Sequence, residues 1–388
     1  MNKIEELLTR GVEEVIDKRH LEAALKSKKK LRVKLGIDPT SPNIHIGRAV
    51  VLWKLRAFQE LGHKVVFIAG DFTGLIGDTS DKDSERPMMT EKQIQANTKT
   101  YFEQAAKIID AKKAEMHYNS QWLKKLGFVE MGKLANLFGL HEFAARENIA
   151  KRLKQGKRVS VRELLYPLMQ GYDSVAVKAD VEIGGTDQRF NLLTGRRIQP
   201  LYGQKLQDIM MMDILEGMDG RKMSSSWGNV INITDKPNDM FGKVMSIPDG
   251  LIRKYFILAT QVPLVKTDEI MRTNQKPRDQ KLKLAQSITS LYYDNTKAIK
   301  AKEAFISQFS KGELPSDIPK KKLKPGKYHL VELLIRTDLV LSKSEARRLI
   351  EQKGVKVNRQ IVKDEIVILD GKKEILIQVG KRRFVKVI

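Results

Sequence analysis

No cysteine occurs in the 388 residues. Its absence excludes disulfides, thiolate zinc sites, iron–sulfur clusters and a cysteine nucleophile. Long apolar runs are missing as well: no stretch of about 18 apolar residues exists, so no membrane-spanning helix is expected. The first twenty residues, MNKIEELLTRGVEEVIDKRH, mix charges of both signs without an apolar segment, so no secretory signal is expected and a cytoplasmic protein is anticipated. Acidic residues are the scarcer charge, 47 Asp plus Glu against 71 Lys plus Arg, for a formal net charge of +24. An excess of this size suits a polyanionic partner, because docking releases counterions. A surface generous in lysine is the simpler account of the same number. Hydrophobic residues make up 41%, enough to bury a sizeable core, and the length suggests about two to three domains.

The spacing of apolar residues predicts the elements. Ile4, Leu7, Leu8, Val12, Val15 and Ile16 recur at three- and four-residue steps, so residues 1–30 read as amphipathic helix. Residues 31–37 read as a strand ending at the turn Asp38-Pro-Thr-Ser-Pro42. A helix over 47–61, a strand over 64–69 and a glycine-rich loop over 70–78 complete a βαβ unit. That unit predicts an α/β fold with a Rossmann-like, doubly wound parallel sheet. Residues 91–110 and 130–178 read as helical, 115–118 as a short strand, and 180–187 as a strand running into a glycine turn. Residues 221–227 lack periodicity and read as a surface loop. Helices with breaks at Pro248 and Pro277 fill 236–310, and prolines with a lysine run mark 311–327 as a linker. Residues 320–388 hold 19 Lys plus Arg against 8 Asp plus Glu, so a basic appendage is expected at this end. The expected organisation is an α/β domain over 1–235, a helical domain over 236–310, the linker, and a small basic α+β unit over 328–388.

Two short segments could carry chemistry. His45-Ile-Gly-Arg48 stands at a helix start, where free N–H groups and the dipole favour phosphate. Gly47 permits close backbone approach, and His45 and Arg48 add donors. An ordinary βα turn with a capping histidine fits the same four residues. Lys222-Met-Ser-Ser-Ser226 lies in a polar loop, and a lysine there could neutralise charge on a departing pyrophosphate. Taken alone it is equally a solvated Lys/Ser loop.

In this order on a βαβ scaffold, the two segments resemble the paired signatures of the class I aminoacyl-tRNA synthetases, and most specifically the bacterial tyrosyl-tRNA synthetase family. Gly36-Ile-Asp-Pro-Thr40, Asp71-Phe-Thr-Gly-Leu-Ile-Gly-Asp78, Tyr166-Pro-Leu-Met-Gln170 with Asp173, and Gly184-Gly-Thr-Asp-Gln188 carry the resemblance in register. The run 339–358 resembles the S-four-type RNA-binding domain of that family. The resemblance implies a ligase that joins L-tyrosine to ATP as tyrosyl-adenylate, releases pyrophosphate, and then charges the terminal adenosine of tyrosine tRNA. Mg2+ would come with ATP, and no metal ligated by the protein is implied.

By the same resemblance, Thr40, His45, Lys82, Arg86 and Lys222 would serve the leaving phosphates. Asp78, Tyr166 and Gln170 would hold the α-ammonium of tyrosine, Asp173 its phenolic hydroxyl, and Gln188 would stand near its carboxylate. Gly36, Asp38, Gly47, Arg48, Gly185 and Asp187 would line the nucleotide pocket with Met223, Ser224 and Ser225. Three positions depart from the commonest pattern. Lys34 replaces a tyrosine that contributes to phenol recognition and is assigned to the tyrosine site in its place. Arg48 replaces a histidine, and Ser225 replaces the second lysine of the later signature. A buried polar partner for the phenol would reject phenylalanine, because losing the hydroxyl strands that partner.

In the last domain, Ser342 should cap a helix bearing Lys343, Arg347 and Arg348, with Lys353, Lys356 and Arg359 flanking a Gly354/Asn358 turn. Such a surface would bind RNA phosphates and shape. A homodimer is implied by resemblance alone. Three rivals fit less well. A tryptophanyl relative is disfavoured by Asp173 and the basic tail. A non-catalytic RNA-binding paralogue is disfavoured by the presence of His45, Asp78 and Gln188. A small-molecule nucleotidyltransferase leaves the basic tail unexplained.

Overall fold

Val33, Leu35 and Ile37 are buried in the strand β2 (Arg32–Ile37), and Gly36 between the last two leaves backbone open to solvent. β2 pairs in parallel with β3 (Lys64–Ala69), from Arg32 opposite Lys64 to Ile37 opposite Ala69. Parallel neighbours need a crossover, and the helix Ile46–Glu60 supplies it. β4 (Glu115–Tyr118) extends the sheet beyond β3. On the opposite side β5 (Val181–Gly185) pairs with β2, and β6 (Asp208–Met212) pairs with β5, both in parallel. β1 (Val12–Ile16) closes that edge antiparallel to β6. The order is β1-β6-β5-β2-β3-β4. The chain therefore winds away from β2 in both directions, and the carboxyl ends of β2 and β5 form a topological switch point. The computed structural model describes residues 2–80, 84, 87–273, 276–310, 318–340, 342–362, 366–370, 374–380 and 383–388.

Several expectations need correction. Residues 1–30 are not one helix. The helix Lys3–Thr9 stops before Gly11 at φ +64, and residues 12–16 form strand β1. Asp17, at φ 59, then caps a second helix, Lys18–Lys26. The apolar residues at 12, 15 and 16 that suggested helix serve the edge strand instead. Strand β6 went unread because all five of its residues are buried, so no alternation marks it. The breaks expected at Pro248 and Pro277 are present: the helix Pro237–Met245 ends before Pro248, and Pro277 opens the helix Pro277–Tyr292, as suits a residue without an N–H at the first helical position.

Contacts divide the chain into residues 1–302 and 303–388. The helices over 236–302 lie in the same unit as the sheet. The second unit packs the helices Leu330–Arg336 and Lys343–Glu351 with two sheets around Leu330, Leu333, Leu334, Val355, Ile377 and Val387. One sheet has the order β10-β9-β12-β13-β7, built from β7 (Lys320–Lys321), β9 (Val355–Val357), β10 (Gln360–Ile361), β12 (Ile375–Val379) and β13 (Arg383–Val387). The other pairs β8 (Gly326–His329) with β11 (Ile366–Leu369). Residues 320–321 and 326–327, expected within the linker, are thus strand, because their backbones complete edges of these sheets. Among the described residues, no helix is long and apolar enough to cross a membrane.

One buried ion pair joins the helix Glu147–Lys154 to the helix Val161–Ala176 and takes in Thr79, just past the glycine-rich loop. Glu163, in the first turn of the helix Val161–Ala176, accepts from Arg152 Nη1 at 2.6 Å and Nη2 at 3.0 Å, and from Thr79 Oγ1 at 2.6 Å. Both charged side chains are fully buried. Glu163→Ala leaves the guanidinium unpaired, so a loss of about 3–5 kcal/mol is expected in denaturant unfolding, the usual cost of stranding one member of a buried pair.

Candidate active site

A cleft of about 230 Å³ opens at the switch point between β2 and β5. Its floor, walls and mouth come from segments far apart in sequence. Gly36 and Asp38 arrive from β2, Asp78 from the glycine-rich loop, Tyr166, Gln170 and Asp173 from one helix, and Gly185, Asp187 and Gln188 from the end of β5. Thr40, His45, Gly47, Arg48 and residues 222–225 line the same cleft. Lys82 and Arg86 lie outside the described residues.

At the floor, Asp173 is buried and accepts from Trp122 Nε1 at 2.7 Å and Asn119 Nδ2 at 3.2 Å. Burial pushes its carboxyl up to about 7; Lys34 and the two donors oppose that rise. Asn119 also donates to Thr73 Oγ1 at 2.9 Å, Thr73 donates to Asp38 Oδ1 at 2.7 Å, and the Tyr166 hydroxyl donates to Asp38 Oδ2 at 2.9 Å. Burial, then the nearby carboxylates, hold the Tyr166 hydroxyl well above its ordinary range, so it stays protonated and donates. Gly70 is required here. A Cβ at that position would lie 2.1 Å from Asp38 Oδ1 and 2.4 Å from Thr73 Oγ1.

The expected contact of Lys34 with the substrate needs correction. Its side chain is fully buried, and its Nζ reaches Glu182 Oε1 at 2.9 Å, Ser174 Oγ at 2.8 Å and the Gln170 carbonyl at 2.8 Å. Lys34 lies beneath the floor and does not line the cleft.

The mouth is built of loops. His45 caps the helix Ile46–Glu60, its Nδ1 accepting from Arg48 N at 3.3 Å, which leaves the proton on Nε2. Burial first, then Arg48 and Lys222, hold its pKa well below the usual histidine value, so the ring is a neutral donor. Arg48 donates to Thr40 Oγ1 at 2.8 Å and the Tyr101 hydroxyl at 2.6 Å, and so fixes Thr40. Lys222 pairs with Asp187 Oδ2 at 2.9 Å. The expected surface loop is partly buried: Met223 is 3% exposed because it packs against the Gly47 backbone. Ser225 Oγ donates to Ser41 Oγ at 3.0 Å and links the second signature to the turn after β2. Gln188 Nε2 donates to Asp78 Oδ2 at 2.7 Å.

The sequence reading missed Asn119, Trp122, Thr73 and Glu182. Asn119 was within reach, because it follows a parallel strand at its carboxyl end, where open α/β sheets bind ligands.

A doubly wound sheet with both signatures meeting over its switch point defines a class I aminoacyl-tRNA synthetase catalytic unit. Residues 26–310 match the family model described as tRNA synthetases class I (W and Y), and residues 309–387 match the tyrosine--tRNA ligase SYY-like C-terminal domain. The chain belongs to the tyrosyl-tRNA synthetase family. It is 45% identical over 386 residues to the tyrosine--tRNA ligase of Thermotoga maritima, spanning 98% of this chain and 96% of the relative. It is 47% identical over 399 residues to that of Carboxydothermus hydrogenoformans, spanning 99% and 97%. In fold it is similar to a C-terminally truncated Aspergillus nidulans mitochondrial tyrosyl-tRNA synthetase, with a TM-score of 0.66 at 21% identity over 79% of this chain and 94% of that one. The Archaeoglobus fulgidus enzyme complexed with L-tyrosine gives a TM-score of 0.62 at 23% identity over 78% and 100%.

The raised carboxyl of Asp173 has a signed consequence. Between about pH 4 and pH 7 the folded protein keeps a proton on Asp173 that the unfolded chain has lost. Stability from this group therefore falls as pH rises through that window and is constant above it. Asp173→Asn does not titrate. Its Tm relative to the parent should be higher at pH 8 than at pH 5 by a few degrees, about what a few kcal/mol gives in a protein of this size. Calorimetry at the two pH values checks this, and an equal offset at both contradicts it.

Proposed function

We propose that the chain is a tyrosine–tRNA ligase whose cleft receives L-tyrosine and ATP side by side. The observation that carries this reading is Asp173, a buried carboxylate with two donors already on it, placed at the floor of a cleft that has both signature loops at its mouth. An acceptor in a dry pocket suits a hydroxylated ring, because a ring without the hydroxyl leaves the carboxylate unpaired.

In this reading Asp78, Tyr166 and Gln170 receive the α-ammonium, and Gln188 stands by the carboxylate. A carboxylate oxygen of tyrosine attacks the α-phosphorus of ATP, and the bond from that phosphorus to the bridging oxygen breaks as pyrophosphate leaves. His45 as neutral donor, Thr40 as hydroxyl donor and Lys222 as cation stabilise the charge on the leaving group. Lys82 and Arg86 join them by resemblance. Asp187 takes the ribose, which would free Lys222 to turn toward the phosphates. Mg2+ enters bound to ATP. Among the described residues, no group of three or more His, Asp or Glu is arranged to hold a metal. In the second step the terminal adenosine hydroxyl attacks the acyl carbon, and AMP leaves.

The same reading takes the protein to be cytoplasmic and homodimeric. Phe128, Val129, Leu140, Leu153 and Val161 are exposed on the helices over 128–161, an apolar surface suited to a second copy. The helices over 236–310 would face the anticodon side. In the second unit Lys343, Arg347, Arg348, Lys353 and Arg359 are exposed and Lys356 is half-buried, so they can meet tRNA phosphates.

Tyrosine-dependent pyrophosphate exchange tests the first half. The parent should exchange with tyrosine and not tryptophan, and Asp173→Ala should lose at least about a hundredfold in kcat/KM for tyrosine, the cost of a charged hydrogen bond. Exchange without tyrosine dependence refutes the reading. For the RNA half, Arg347→Ala with Arg348→Ala should weaken tyrosine tRNA binding and lower the salt slope by about 1.5, while exchange is unchanged. An unaltered slope in filter binding contradicts that surface.

A further inference from the structure

Beneath the cleft floor lies a fully buried ion pair, Lys34 on β2 and Glu182 on β5, with side chains 0% and 1% exposed. An ion pair withdrawn from water is costly unless its remaining hydrogen-bonding capacity is met. Here it is met by groups of the site. Glu182 Oε1 accepts from Gln170 Nε2 at 3.2 Å, and Oε2 accepts from Ser174 Oγ at 3.0 Å and Gln207 Nε2 at 2.6 Å. Lys34 Nζ donates to the Gln170 carbonyl and to Ser174 Oγ, each at 2.8 Å. Gln170 is therefore gripped twice, through its backbone by the lysine and through its amide by the glutamate.

The chemistry of that grip is one-directional. An ionised carboxylate only accepts, so the amide nitrogen of Gln170 must face Glu182. The amide oxygen is left for the cleft, which Gln170 lines. An acceptor is what an ammonium group requires. Asp173 sits one helical turn farther along and feels both members of the pair, Lys34 favouring its charged form and Glu182 opposing it more weakly.

We infer that the Lys34–Glu182 pair is a positioning and selectivity device for the amino-acid substrate. It aims the side-chain amide oxygen of Gln170 at the α-ammonium and keeps Asp173 an acceptor for the phenol. This rests on the reading of the cleft as a tyrosine site. Lys34 does not line the cleft, and the Glu182 side chain, though its residue borders the cleft, is buried against Gln170, Ser174 and Gln207, so the pair acts through its neighbours. The pair does through charge what a second hydroxyl on the ring's hydroxyl would do through contact.

The groups facing Asp173 allow the prediction to be signed. From β2 it faces Lys34, and from β5 it faces Glu182. On its own helix it faces Tyr166, whose hydroxyl donates to Asp38, with Asp78 also acting on Tyr166. From the β4 side it meets Asn119 and Trp122, and His117 packs edge-on to Trp122 at 5.8 Å. Lys34 and Glu182 act on Asp173 with opposite sign. The acid limb of kcat/KM for tyrosine, where Asp173 loses its charge, should therefore respond oppositely to the two changes.

The experiment is tyrosine-dependent pyrophosphate exchange against pH at saturating ATP, on the full chain, with Lys34→Met, Glu182→Gln and the double variant. Lys34→Met should move the acid limb up by roughly one pH unit, the low end of what one nearby charge does, and Glu182→Gln should move it down. Both should raise KM for tyrosine about tenfold through the loosened Gln170, with KM for ATP within about twofold. Limbs that move the same way, or stay in place in folded variants, overturn the inference. If the single variants do not fold, the double variant decides, because it buries no unpaired charge. A raised KM for tyrosine with KM for ATP unchanged supports the device, and a parental KM for tyrosine overturns it. Failure of the parent to exchange with tyrosine would instead overturn the reading of the cleft.

Discussion

A carboxylate taken out of water must be matched by donors or by charge, and Asp173 sets that demand on the helix at the cleft floor. The answer to it organises the floor of the cleft. Asn119 and Trp122 donate directly, and Lys34 contributes its charge from β2. Each partner is then held by another. Asn119 accepts from Phe72 N at 3.0 Å and donates to Thr73, Thr73 donates to Asp38, and Asp38 also accepts from Tyr166. One run of hydrogen bonds thus joins the end of β4, the glycine-rich loop, the end of β2 and the helix that carries Asp173. The amino-acid end of the cleft rests on strands and one helix, where geometry is held most tightly.

The mouth, which the proposed reading gives to the nucleotide, follows different physics. There the side chains sit on loops and a helix start, and the requirement is positive potential rather than an exact hydrogen-bond partner. The two signatures meet through Gly47 and Met223, whose Cβ lies 3.3 Å from where a Cβ on Gly47 would stand, and through the hydroxyls of Ser41 and Ser225. The two unusual residues fit this arrangement. Arg48 is spent on Thr40 and Tyr101, so it orients a donor. Ser225 bridges the loops, and Lys222 is the lysine of this signature that lines the cleft.

Much of this was legible in the residues. The βαβ unit follows from period and glycine placement, and the cleft residues from Gly36 to Ser225 follow from the resemblance to the family. What stayed hidden has physical causes. β6 is buried along its whole length and shows no alternation. The apolar residues of β1 happened to fall on a helical repeat, and only Gly11 at positive φ separates helix from strand there. Lys34 could be placed on β2 from sequence, but its direction depends on Glu182, about 150 residues away and without a motif of its own. Asn119 and Trp122 likewise gain meaning only when β4 is laid beside β3.

The polar network behind the site is bought with groups left incomplete. The buried amide oxygens of Asn191 and Gln207 have no hydrogen-bond partner among the described residues, while the amide nitrogens donate to residues that line the cleft. Asn191 donates to Gln188 Oε1 at 2.9 Å and so aims the nitrogen of Gln188 at Asp78, and Gln207 donates to Glu182. An orphaned buried acceptor costs about 1–3 kcal/mol. These costs gather within one network at the switch point, and the carboxyl of Asp173 adds to them whenever it is charged. A fold selected for stability alone would fill that space with apolar side chains, as often works for buried ion pairs. The site instead keeps donors and acceptors aimed along fixed directions, which is what discrimination of one hydroxyl group requires.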